Sequence, residues 1–495
     1  MTIEVDLAAP LRIADLRAAR EPISVRVGPA VRERVTAGRV FLAKVLGDDR
    51  AVYGATTGFG ALVGYAGRAD QRDQADNTLA HLGAGQGPDL DPDLARATML
   101  VRAHSLARGD SGVSPHVVDA LAAALGTTFA PAMPRLGSVG ASGDLIPLGA
   151  TAQALRGRGD AYLHGRRLPA AQALQQAGLE PLPLDGRDAL ALVNGTSLTT
   201  AAAALALDRI RASHRVIQLL TCVLADLLGC DPQFLDAGLF DAYGHAGAIT
   251  VAARMRVTLD GTTPSGTRPL QEPYSIRCTP QLLGAAEDAL RYVDGVVTAD
   301  LAGVSDNPLF FPAADKVVHG GNFFGQPAAF ASDVLTMVLA QLGNLAERQL
   351  DLLVDPVRNG GLPPMLAAGP GRQHGLQGVQ LASTALIAEI RRDAMPASIQ
   401  SLPTNLHNQD IIPLGTQSAL RALDQSRLLA LITGSLALGL RQAVHVGARI
   451  PTASACARVV VALAEAIPPI DPDRPLEAEV RLAAEIAESL AEPCP

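Results

Sequence analysis

Tryptophan is absent from the 495-residue chain, and aromatic residues make up only 3% of it. Single-stranded nucleic acids are held on aromatic platforms beside basic grooves. This chain has a net charge of −8 and no basic stripe, so nucleic-acid binding has little support. Cysteine is sparse as well. Cys222, Cys230, Cys278, Cys456 and Cys494 are scattered and form no C-x-x-C pair. That argues against a disulfide scaffold and a zinc site, and for a reduced, cytoplasmic protein. The start, Met1-Thr2-Ile3-Glu4-Val5-Asp6, carries acids and lacks the basic-then-apolar pattern of a secretory leader. No apolar run approaches the roughly 20 residues that cross a bilayer. The most apolar, Leu428 to Leu440 between Arg427 and Arg441, is expected to be a buried helix. Internal repeats and low-complexity tracts are also missing.

What is present is core. Hydrophobic residues reach 48% against 18% charged, the balance of a packed globular protein. Residues up to about 50 look like a small N-terminal cap. From there to residue 195, glycine and proline break the chain into loops at Val52–Gly64, Gly83–Pro92 and Pro131–Gly143. Frequent loops in a packable sequence carry function. After residue 196 the character changes. Thr199–Leu228, Gln281–Leu301, Phe330–Val354, Gly378–Arg392 and Leu414–Val444 are rich in helix formers and nearly free of proline. Arg209, Arg211 and Arg215 recur along one face of the first. The expectation is a mostly α protein: a loop-rich N-terminal domain over 1–195 and a long-helix bundle with C-terminal helices over 196–495.

The segment Gly137-Ser138-Val139-Gly140-Ala141-Ser142-Gly143-Asp144 admits several readings. A phosphate loop would need Lys-Ser/Thr where Asp144 stands, and the carboxylate would repel phosphate. A nucleophile elbow G-x-S-x-G fails at its second glycine, because residue 144 is Asp. Both also need a leading strand, which Pro131–Pro134 does not suggest. A third reading is backbone cyclisation. The Gly143 nitrogen can attack the Ala141 carbonyl only where the flanking side chains are tiny. Loss of water closes a five-membered ring, and loss of a second water from Ser142 leaves an exocyclic methylidene, an electrophile made without any external cofactor. A plain turn capping the helix that starts near Leu145, with Asp144 at its positive end, is the remaining reading.

The wider chain decides among them by resemblance. Gly137–Leu148 resembles the signature of the histidine/phenylalanine/tyrosine ammonia-lyases and aminomutases, whose electrophile is 4-methylideneimidazol-5-one (MIO). Tyr53-Gly54-Ala55-Thr56-Thr57-Gly58-Phe59-Gly60, Leu192–Thr196, Gln271–Cys278, Asp306–Leu309, Gly320–Phe323, Gly361–Pro364 and Asn408–Asp410 resemble further family segments, in family order. The resemblance implies a fumarase/aspartase-like architecture, MIO formed from Ala141, Ser142 and Gly143, no metal and no dissociable cofactor. It also implies a homotetramer with shared active sites, with a small aromatic amino acid and neither nucleic acid nor membrane as partner. By position it makes Tyr53 the base for the β-proton. Asn194 would hydrogen-bond the MIO, Tyr274 would assist MIO formation or the amine, and Arg277 would bind the substrate carboxylate. Asn307 would help that arginine, Gln271 and Gln409 would lie near the MIO and the amine, and Gly60 and Phe323 would line the pocket. The Tyr53 phenol would need a lowered pKa, with Arg277 and helix N-termini nearby to favour the phenolate.

The pair His81-Leu82 is similar to that of the tyrosine-selective members, whose imidazole hydrogen-bonds a phenol. Gln409 stands where histidine lyases carry Glu. These positions point to elimination of ammonia from L-tyrosine, giving trans-p-coumarate. A tyrosine or phenylalanine 2,3-aminomutase, then a phenylalanine or histidine lyase, are the alternatives, with an inactive oligomeric homologue outside the enzymes. Departures from the family pattern are Thr56, His104 and Gly149, and Gln377 lies in a segment that varies between lyases and aminomutases.

Overall fold

A computed structural model of the chain describes residues 3–48 and 50–491. Cys494, counted above, lies outside them. The described residues form 18 helices, 59% of the chain, and nine strands of two to four residues, so the protein is mostly α as expected. The long helices are Ser197–Leu228, Thr279–Ala302, Gln326–Val354, Gln377–Asp393 and Gly415–His445. The first four reach one to four residues beyond the bounds expected from composition, and the last is shifted by one residue from Leu414–Val444.

The run Leu428–Leu440 is one stretch of a helix 31 residues long. Its helix and Gln326–Val354 are long and apolar enough to cross a membrane by length and composition, contrary to the expectation from the short run. In their most apolar windows 72% and 67% of the residues are buried inside the protein, as in the core helices of a bundle.

The chain divides into two compact units that interleave along the sequence. The division expected after residue 195 stays a proposal about chain organisation. The first unit comprises Met1–Leu205, Asp294–Asp333 and Pro396–Leu420. Its centre is the helix Pro92–Leu106, in which every residue from Leu94 to Leu106 is buried. Arg96 on this helix donates to the carbonyls of Ala19, Glu21, Leu125, Thr127 and Phe129. Burial pulls its guanidinium pKa down to about 10, which leaves it charged at neutral pH and able to hold two segments, 19–21 and 125–129, by one fork. His104, a departure noted above, is structural: its Nε2 lies 3.0 Å from the Ala9 carbonyl, and burial lowers its pKa.

The helix Gln71–Ala80 packs on Gly186–Val193, which also packs on Leu145–Leu155. One expectation is overturned here. Pro134–Leu136 forms a short strand, paired antiparallel with Gln86–Asp89, directly before the Gly137–Gly143 loop. A two-stranded ribbon is all edge, so its prolines leave no ladder position unfilled. The order strand, loop, helix is present, and the case against a phosphate loop or serine elbow rests on Asp144 alone.

The second unit comprises Ala206–Val293, Val334–Met395 and Arg421–Pro495 and holds most of the long-helix residues. Polar side chains fix its helices. Gln349 donates to Thr221 Oγ1 at 2.8 Å, and the Asp226 carboxylate accepts from the Ala453 amide at 2.8 Å.

Candidate active site

The Ala-Ser-Gly tripeptide folds back on itself, with bridge pairings of Gly140 and Ala141 to Gly143. Gly143 has φ 70°, in the left-handed region. A Cβ on it would stand 2.2 Å from the carbonyl carbon and oxygen of Gly195, a contact no side chain tolerates. Gly195 is as confined, since a Cβ there would lie 2.0 Å from Arg102 Nη1. Two backbones thus approach at a distance only glycine permits. The Asp144 amide seals the contact by donating to the Gly195 carbonyl at 2.7 Å. The dehydratable serine is held from outside, as Gln409 Nε2 donates to Ser142 Oγ at 2.8 Å.

Asp144 does sit at the start of the helix Leu145–Leu155, but its carboxylate makes no capping bond. It is buried and accepts from Ser138 Oγ at 2.9 Å, Thr416 Oγ1 at 2.8 Å, and the hydroxyl and amide of Thr199 at 2.8 and 2.9 Å. Burial pushes its pKa up and these donors pull it back. Nothing in the sequence pattern singled out Ser138, Thr199 or Thr416.

Asn194 is buried beside this contact. Its Nδ2 donates to the Asn307 carbonyl at 3.0 Å, and its Oδ1 has no partner. The same carbonyl accepts from Arg187 Nη1 at 3.1 Å, while Gly320 donates to Asn307 Oδ1 at 2.8 Å. Arg187 pairs with Asp306 in full burial and bonds the Ser111 carbonyl at 2.7 Å. Asn307 was expected to help Arg277. Within its own unit the arginine it touches is Arg187, which sequence reasoning did not identify.

The tyrosine loop is ordered by its own backbone. The Gly60 amide donates to Tyr53 Oη at 2.8 Å. Tyr53 meets Phe59 edge-to-face at 5.9 Å, and Phe59 stacks on His81 at 6.1 Å. Burial raises the Tyr53 pKa and the Gly60 amide lowers it, burial being the larger cause. The expected downward shift is therefore not found. The phenol loses more by leaving water than one backbone donor returns. Gly60 has φ 53°, and a Cβ on it would lie 2.0 Å from Asn405 Nδ2. Asn405, Leu406 and His407 all have positive φ, a costly run that brings this turn against the tyrosine loop while Gln409 reaches Ser142.

His81 is the C-cap of the helix Gln71–Ala80, exposed, with Nδ1 3.2 Å from the Asn77 carbonyl. Leu82 is buried. A Cβ on Gly149 would meet the Leu82 Cβ at 2.9 Å, so the unusual glycine makes room for the leucine. Phe323 is half-buried within the turn Asn322–Phe323, which the Phe324 amide closes by donating to the Gly321 carbonyl at 2.8 Å. Gln271, Tyr274 and Arg277 belong to the second unit. There Gln349 donates to the Ser275 carbonyl at 2.9 Å, and Arg277 Nε donates to the Glu272 carbonyl at 2.9 Å. The Arg277 guanidinium lies 4.6 Å from the Tyr274 ring centre. Tyr274 is 70% exposed and Gln271 is exposed as well. Among the described residues no cluster of His, Cys, Asp or Glu could hold a metal.

The family model described as aromatic amino acid lyase matches residues 11–465. A tyrosine ammonia-lyase of Cereibacter sphaeroides is 41% identical, covering 92% of this chain and 91% of its own. A histidine ammonia-lyase of Symbiobacterium thermophilum is 35% identical over 97% and 96%. Among solved structures, a tyrosine aminomutase from Streptomyces globisporus superposes with a TM-score of 0.92 at 32% identity, covering 99% of this chain and 97% of its own.

Gln74 is a further residue the sequence did not flag. Buried on the helix that carries His81, it donates to the carbonyls of Gly54 at 3.2 Å and Thr57 at 3.5 Å and accepts from the Arg68 amide at 2.9 Å. Gln74→Leu keeps the volume and removes all three bonds. Turnover is expected to fall roughly tenfold with little change in KM, and amide exchange in the tyrosine loop to accelerate, since about 1.4 kcal/mol of positioning is lost. Unchanged exchange and turnover would show that Gln74 does not hold the loop.

Proposed function

The chain belongs to the aromatic amino acid lyase family, and from that premise we propose that it eliminates ammonia from L-tyrosine to give trans-p-coumarate, using MIO formed from Ala141, Ser142 and Gly143. Members of the family are carbon–nitrogen lyases. The observation that carries the reading is the glycine-only contact of Gly143 with Gly195 beside Ser142. A backbone amide with no Cβ, compressed against its surroundings and next to a serine, is what ring closure on the Ala141 carbonyl requires. Asn194, with Oδ1 lacking a partner and a second N–H on Nδ2, would hold the group together with Gln409. Once formed, MIO supplies an electrophile that turns the substrate amine into a leaving group.

The chain's own residues do the rest. Tyr53 takes the β-proton, steered by the Gly60 amide and the Phe59 ring. Arg277 receives the substrate carboxylate, its Nε already held by Glu272 so that Nη1 and Nη2 are presented as a fork. His81 reads the phenol. With Nδ1–H donating to the Asn77 carbonyl, Nε2 is left as an acceptor for the substrate hydroxyl. Phenylalanine would leave that acceptor without a partner. The likeness to a tyrosine aminomutase favours a second reading, in which the ammonia returns at the β-carbon to give β-tyrosine.

A cytoplasmic homotetramer completes the proposal. Val357, Leu402 and Leu406, each more than 60% exposed, support association by the apolar surface they would bury.

Incubation with tyrosine, phenylalanine and histidine in turn, with product chromatography and intact mass, tests the assignment. Coumarate from tyrosine and a chain lighter by two waters are expected. His81→Phe should move the kcat/KM ratio toward phenylalanine by about a hundredfold. Urocanate, or a chain of full translated mass, would overturn the assignment, and β-tyrosine would move it to the aminomutase. The raised Tyr53 pKa sets the pH dependence. The base acts deprotonated, so kcat/KM should climb as pH rises from neutral toward the phenol's ionisation, and Tyr53→Phe should abolish turnover. A profile that falls over that interval would remove Tyr53 as the base. Light scattering should give four copies, and a fully active monomer would refute the shared site.

A further inference from the structure

Tyr53 is held at more than its ring. Its phenol accepts from the Gly60 amide, and Gln74 fixes the Gly54 carbonyl next to it. A further bond involves a residue to which the proposed reaction gives no role. The Tyr53 backbone amide donates to His319 Nε2 at 3.2 Å.

His319 follows the strand Lys316–Val318, which pairs antiparallel with Leu309–Phe311 and sets Val318 opposite Leu309. Two residues further out on each arm a side chain continues the register, as the Gly320 amide donates to Asn307 Oδ1 at 2.8 Å. The Asn307 carbonyl in turn accepts from Asn194 and Arg187. Within the hairpin, Phe310 is fully buried in one apolar cluster with Val52 and Ala55, which flank Tyr53, and Val317 packs against it. The Phe310 amide donates to the Asp110 carbonyl at 2.8 Å. The imidazole is thus carried by a stiff support, and Asn307 ties that support to Asn194.

An amide N–H can donate to Nε2 only while that nitrogen keeps its lone pair, so the ring is neutral with its proton on Nδ1. An imidazolium has N–H on both nitrogens and would meet the Tyr53 amide donor to donor. Burial first and the Arg187 charge second lower the ring's pKa from the ordinary 6.5. The neutral ring and its bond are therefore present at neutral pH and lost as pH falls through the lowered value. The charges around it are largely spoken for. Arg187, from the helix Gly186–Val193, pairs with Asp306. At the hairpin's turn Asp315 pairs with Lys44 of the helix Pro29–Gly47 at 2.9 Å, near Arg50, and Lys316 follows on the same strand. The tyrosine loop brings the Tyr53 phenol, uncharged across the acid range. His319 itself is exposed, so solvent can supply the proton.

We propose that His319 is a positioning residue for the catalytic base: its neutral Nε2 holds the root of the tyrosine loop, and protonation of the ring releases it. The inference rests on the reading of Tyr53 as the base. Acid then removes the placement of the base as well as its ionisation.

Amide exchange of the full chain without substrate, corrected at each pH for the intrinsic rate, reads the loop directly. In the wild type, protection around Tyr53 should fall between neutral pH and about pH 5. His319→Gln offers an oxygen acceptor that does not titrate, so its protection should hold over that interval. His319→Leu should lose protection roughly tenfold already at neutral pH, with a similar fall in kcat and little change in KM, and Gln should restore both. The ratio of kcat for His319→Gln to that of the wild type should rise as pH falls, because the slope from Tyr53 ionisation is common to both and cancels. Wild-type pH dependence of protection in His319→Gln, or wild-type protection in His319→Leu, would overturn the proposal. Should the leucine variant not fold, the glutamine variant against the wild type decides alone. The two failures are distinct, since full turnover by Tyr53→Phe overturns the base, whereas the exchange measurement, made without substrate, overturns the latch.

Discussion

Gly143 and Gly195 meet backbone to backbone, closer than any Cβ allows. Much of the first unit is arranged to hold that contact. Arg102 supports Gly195 from one side, and Asp144, one residue on, bonds the Gly195 carbonyl and anchors three hydroxyls. A contact this short is paid for by neighbours that cannot move away. A buried carboxylate with four donors is such a neighbour, because releasing any donor leaves a charged acceptor unsatisfied in a dry region. The chemistry proposed for Ser142 depends on compression, and compression depends on Asp144 staying where it is.

The same logic accounts for the unusual number of buried arginines. Arg96, Arg102 and Arg187 are all nearly inaccessible, and burial lowers the pKa of each. Each meets carbonyls of loops that a glycine- and proline-rich chain cannot otherwise fix by regular ladders. A guanidinium reaches several carbonyls at once in fixed directions, which a lysine cannot do. The loop-rich unit is therefore held by forks in place of sheets, and its functional loops are stiff without being regular.

In the proposed reaction, coupling between proton removal and side-chain recognition would arise from one short helix. Gln71–Ala80 carries Gln74, which bonds the tyrosine loop, and ends at His81 and Leu82. Phe59 bridges the two by contacting both Tyr53 and His81. A substrate whose ring is seated at His81 would thereby bear on the same structure that positions Tyr53.

Composition alone determined the class: long stretches of helix formers without proline cannot avoid becoming helices, and those after residue 196 did so nearly to the residue. The motifs around Tyr53, Ser142, Asn194, Arg277 and Gln409 were legible for a different reason: each is weak alone, and together they resemble the family's segments in family order. The brief strand at Pro134–Leu136 was not legible, because two prolines in a short ribbon carry no periodicity. Nor were Gln74, Asn405, Arg187 and Thr416, ordinary polar residues whose meaning comes from partners far along the chain. The direction of the Tyr53 pKa belonged to the tertiary structure as well. A sequence names the phenol and its neighbours, but desolvation depends on how much of the rest of the chain packs over it, and that is decided only when the loops close.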